Sequence, residues 1–199
     1  MSYFASEKSF FVRKNRFEIS HAKTRRTPSV DFSLRHWVTY LAAKSCSNMH
    51  TAVSTLQFFF LRDLDKLMAE MEAFPSEQSL WRTGGDVKNP AGNLGLHIAG
   101  NLQHFIGAVL GGTGYVRDRE REFSEKNVLR SDILAQLAIS KKVVGDVLGK
   151  MSDAQLAAIY PANYFGEGRS NLFVLLTLLT HLGYHLGQVN YLRRLVAVA

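Results

Sequence analysis

NPAGNLGLHIAGNLQHFIGAVLGG, Asn89 to Gly112, is the stretch on which the fold turns. It opens with an asparagine that reads as an N-cap and a proline at the first helical position, where a missing N–H and a fixed φ do no harm. It closes on Gly111-Gly112, the residue type that ends helices. Between those marks there is no charged side chain and no strand-like alternation, so the stretch reads as a helix inside a core. His97 and His104 lie seven residues apart on one face of that helix, with Asn101 between them.

Working outward, the segment from about Thr51 to Ala73 carries Leu56, Phe59, Phe60, Leu64 and Leu67 at three- and four-residue steps, which predicts a helix. FPSEQSLWRTGGDVKNP breaks the pattern with two prolines and a Gly-Gly pair. On the other side, GYVRDREREFSEKNVLR is expected to be a charged connection, with signs that alternate as in a solvated, self-compensated loop. Its other reading is a lid that recognises an acidic cosubstrate. Ser131 and Asp132 are expected to open a helix over about 132–149. Ser152 with Gln155 fits a capping box for a short piece at 153–159, ended by Pro161. Ser170 caps a final helix running to about Val196. Four substantial helices and no strand signal predict an all-α four-helix bundle.

Residues 1–48 differ from all of this. They hold nine basic and three acidic side chains, so +6 of the net +7 sits there and the remainder is close to neutral. A generic phosphate-binding surface on the main domain is therefore not expected, nor a nucleic-acid partner. The segment is read as a disordered or non-native leader, with Met49 as the start of a domain over 49–199. The single cysteine, Cys46, rules out an internal disulfide framework and fits a reducing, cytoplasmic setting. Asn171 to Leu192 contains no Asp, Glu, Lys or Arg and is about as long as a bilayer span. His181, His185, Gln188 and Asn190 would be costly in hydrocarbon, so a helix buried in a bundle is expected and a membrane partner is not.

That last helix carries HLGYHLGQVNYLRR, His181 to Arg194. His181 and His185 are one helical turn apart on one face, so both rings can converge on one ion. Two ligands rarely suffice, and His97 is favoured as the third. His104 sits about 10 Å further along its helix, from ~1.5 Å rise per residue. Gln188 continues the stripe and could bond a ligand or a bound water. Asn101 and His104 are candidates for orienting substrate. Tyr184 could supply a phenolic proton but reads first as a core side chain, and Gly183 and Gly187 as places where a neighbouring backbone comes close. His21, His36 and His50 look incidental.

The run from Asn89 to Lys126, NPAGNLGLHIAGNLQHFIGAVLGGTGYVRDREREFSEK, together with HLGYHLGQVNYLRR resembles the DinB/YfiT-like superfamily, in a branch described as a domain of unknown function. The resemblance covers about residues 50–196. It implies a four-helix bundle, often dimeric, with a divalent transition metal (Zn, Ni or Fe) held by His97, His181 and His185. Relatives of this kind are often thiol-dependent transferases or isomerases that use low-molecular-weight thiols such as bacillithiol or mycothiol. The expected function is therefore a metal-dependent S-transferase acting on a small electrophile. The alternatives are a hydrolase using metal-bound water and a non-catalytic, stress-associated metal-binding module.

Overall fold

Thr51 starts the first helix, α1 (Ala52–Glu72), by accepting the Ser54 N–H on its side-chain oxygen at 3.1 Å. In the computed structural model, which describes residues 51–196, α1 buries Val53, Leu56, Phe60, Leu64, Leu67 and Met71 along one stripe. The expectations for the leader 1–48, for Met49 as a start and for His21, His36 and His50 lie outside the described residues. Full burial of each such side chain stabilises by roughly 1.5–3 kcal/mol, and this stripe is the floor of the bundle.

The second helix, α2 (Ala91–Leu102), is buried at every position. Pro90, with φ −68° and ψ 162°, holds the cap position expected for Asn89, and its carbonyl accepts the first helical bond from the Leu94 N–H. Proline has no N–H to lose in either register, so the one-residue shift is nearly neutral. Its last turns, Gln103–Ala108, widen into π-helix before Gly112 stops the chain at φ +63°. The Tyr160 hydroxyl donates to the Phe105 carbonyl at 2.9 Å within that widened stretch.

The charged connection is not a loop. Asp118 accepts the Arg121 N–H and caps a short helix, α3 (Arg119–Ser124), which packs against α2. Asn93, fully buried, donates its amide to the carbonyls of Glu122 and Glu125, both at 2.8 Å, and so clamps α3 down.

The next helix, α4 (Arg130–Leu148), begins two residues earlier than Ser131 and Asp132 suggest. Its end is satisfied from a distance, since Glu77 accepts the Arg130 N–H at 2.8 Å. The Ser152/Gln155 capping box is present and opens α5 (Asp153–Ala157). A single antiparallel bridge, Ile159 to Ser170, is the only β pairing among the described residues. Ser170 then accepts the Phe173 N–H and starts α6 (Asn171–Val196).

Helices α1, α2, α4 and α6 form the bundle, with α1 against α4 and α6, and α2 against α4 and α6. The last helix is not enclosed as expected. It is long and apolar enough to cross a membrane by length and composition, and it packs one face on the bundle. Leu172, Phe173, Leu176, Tyr184, Tyr191 and Leu195 stay exposed on the other. Gly183 and Gly187 open onto empty space instead of admitting a neighbouring backbone.

Candidate metal centre

The antiparallel run of α2 against α6 sets His97 opposite His181 and His185. The His97 Nε2 lies 3.2 Å from the His181 Nε2, and the His185 Nε2 lies 2.9 Å from that same atom. One nitrogen from each ring falls within 4.8 Å of the others. The ring planes are nearly perpendicular, at 83–85° between each pair. A tetrahedral ion with bonds of ~2.0–2.1 Å separates its nitrogens by about 3.3 Å, so little adjustment separates this cluster from a ligand set.

Proton bookkeeping within the cluster favours a cation. Glu122 Oε2 takes the His97 Nδ1 at 2.8 Å, and a carboxylate only accepts, so the proton belongs on Nδ1. That excludes donation to the same Nδ1 from Arg117, which lies 3.3 Å away. On His185 the Nδ1 lies 2.7 Å from the Gln188 side-chain oxygen, which fixes its proton in the same manner. Both Nε2 lone pairs therefore face the His181 Nε2, which has at most one proton to give. The His181 Nδ1 is buried with no partner. Three convergent nitrogens with surplus lone pairs suit a divalent transition ion such as zinc, nickel or iron.

The chain also supports the cluster from behind. Arg117 grips Glu122 with two bonds, Nε to Oε1 at 2.6 Å and an N–H to Oε2 at 2.7 Å. Their side chains are 11% and 6% exposed, so this is a buried pair and not a surface one. Burial alone would raise the Glu122 carboxyl, but Arg117 and then His97 outweigh it and hold it below its ordinary range. Gly100 makes the arrangement possible, because a Cβ there would collide with the Glu122 carboxylate. Phe123 covers His97 at 4.7 Å between ring centres.

His97, His181 and His185 come together. Gln188 contacts the cluster by orienting His185. Asn101 and His104 do not bond to the three rings: Asn101 Oδ1 and His104 Nδ1 are buried without partners, and His104 packs edge-on against Phe105 and Tyr164. Tyr184 is exposed beside His185 and not in the core. Arg117 and Glu122 were hidden in an alternating-charge segment, and the signal that could have exposed them is a glycine, Gly100, in a helix buried at every position.

A family model described as the DinB superfamily matches residues 60–189, well over half of the chain. No curated protein and no solved structure matches.

Proposed function

The chain belongs to the DinB superfamily, and on that premise we propose that it is a divalent-metal-dependent enzyme transferring a low-molecular-weight thiol to a small electrophile. The observation that carries the reading is the convergence of His97, His181 and His185, with the outer nitrogens of His97 and His185 engaged by Glu122 and Gln188. A bound ion would supply Lewis acidity, so that a thiol or water beside it is a nucleophile near neutral pH.

The protein's own groups do the rest. Glu122 keeps the His97 proton on Nδ1 and the Nε2 lone pair turned inward, while Gln188 does the same for His185. Arg117 keeps Glu122 ionised and neutralises it, so the site retains the charge of its ion for an anionic nucleophile. Residues 51–196 contain no cysteine, and in this reading the attacking sulfur comes with a cosubstrate. Treating α6 as a bundle helix and not a membrane span is supported by Glu70 on α1, which accepts from Asn190 and Arg193. A cytoplasmic homodimer completes the proposal; a light-scattering mass of one chain would remove the dimer.

The test is conjugation of a generic electrophile, 1-chloro-2,4-dinitrobenzene, with a small thiol by untagged protein loaded with zinc, nickel or iron. Metal-dependent turnover that His181→Ala abolishes is the expected result. Turnover of an activated ester without thiol would assign a hydrolase instead. Full metal loading with neither activity would leave a metal-binding module.

A further inference from the structure

Directly beside the histidines the surface is hollow. A cleft of about 770 Å³ lies between the C-terminal half of α6 and the Asp86–Asn89 segment that leads into α2. That volume falls within the range of small-molecule sites, ~300–1,000 Å³. Its walls are mainly apolar. Leu94 and Leu192 supply buried surface, and Val87, Tyr184, Tyr191 and Leu195 supply exposed surface. Tyr184 and Tyr191 are 63% and 66% exposed, a poor arrangement for aromatic side chains unless something covers them. They stand seven residues apart on one helix face, so their rings flank the same space.

Asp86, Lys88 and Asn89 supply polar groups from the segment leading into α2, and on the α6 side two polar side chains interrupt the apolar wall: His185 and Gln188, which line the cleft as well as the metal cluster. The Gln188 oxygen is engaged by His185, so its amide N–H groups are what it offers to a ligand. Gly187 forms part of the wall, and the space above it is open. A chain with no special use for this hollow could fill it with any larger residue at that position.

We propose that this cleft binds the electrophilic substrate: a ring-sized, largely apolar small molecule held between Tyr184 and Tyr191, with a hydrogen-bond acceptor turned toward Gln188 and the histidines. The assignment of the ligand as the reacting substrate rests on the metal-centre reading, whereas the binding itself does not.

The experiment titrates the full chain with 1-N-phenylnaphthylamine, a neutral aromatic probe whose emission rises in apolar surroundings, in chelator-treated and zinc-loaded forms. One probe per chain is expected in both. Gly187→Leu, which places a side chain in open space, is expected to weaken binding at least tenfold. Gly183→Leu, one turn away on the same exposed face but outside the cleft, is expected to leave it within twofold. Tyr191→Ala provides a second check, with several-fold weakening expected. Replacing zinc by cobalt is expected to quench the bound probe, since the cleft and the rings share His185. Binding that survives Gly187→Leu and Tyr191→Ala overturns the proposal. Equal loss in both glycine variants with a change in molecular mass also overturns it, assigning the cleft to contact between copies. Metal content measured on the same samples keeps the two readings apart: a probe-binding chain without metal retains the cleft and loses only the metal centre.

Discussion

Glu122 supports the candidate site although the sequence pattern did not single it out. It sits on a helix of six residues, 25 positions from His97, and holds the ring by its outer nitrogen. Glu122→Gln should keep the fold and weaken metal binding 10–100-fold, the usual effect of losing such a support; a competition titration with a chromogenic chelator reads it, and unchanged affinity would deny Glu122 that role. Arg117→Met leaves a buried carboxylate unpaired and should cost about 3–5 kcal/mol, measurable by denaturant unfolding. Acid should act on the metal-free chain through the histidines. Burial first, then His185 and His97, push His181 down to about 4, and burial lowers His185 as well. The unfolded chain takes up those protons near ~6.5, before the native one does, so stability is complete above that pH and falls as pH drops toward 4. An unfolding midpoint that stays level between pH 6.5 and 5 would contradict this. The three histidines were legible because helical spacing puts two of them on one face and an apolar helix isolates the third. Arg117 and Glu122 were not, because their contact with each other and with His97 is made by a short segment folding back onto α2, which leaves no trace in local periodicity.

Among the elements, two glycines with opposite surroundings give a paired prediction. An exposed helical glycine replaced by alanine normally gains about 0.5–1 kcal/mol, and Gly183→Ala should do so, since its surroundings are open. Gly100→Ala should gain no such stability and should lose metal affinity, because the new methyl displaces the Glu122 carboxylate. Thermal melts and metal titrations of the two variants side by side check both signs. The long helices were readable from their stripes and caps, including the Ser152/Gln155 box. Helix α3 escaped because six residues are too few to show a period and their charges alternate. The half-exposure of α6 escaped for the opposite reason: a segment without charges carries no polar stripe to mark its outer face.

On the scale of the whole molecule, α2 and α6 are joined by little besides packing at the cluster, and an ion bridging His97 to His181 and His185 would tie them. Ligand that binds only the native state stabilises by about 4 kcal/mol at a thousandfold excess over its Kd. For a chain of this size that corresponds to a rise in Tm of roughly 8–16 °C. Calorimetry with and without a chelator reads the shift. The bundle itself was legible, since four capped, striped helices leave few other ways to bury their apolar faces. The most direct measurement is the metal content of protein purified without a histidine tag, by elemental analysis, beside His181→Ala. One divalent transition ion per chain is expected, and its loss in the variant. A native chain that holds no stoichiometric metal, even after reconstitution, would contradict it.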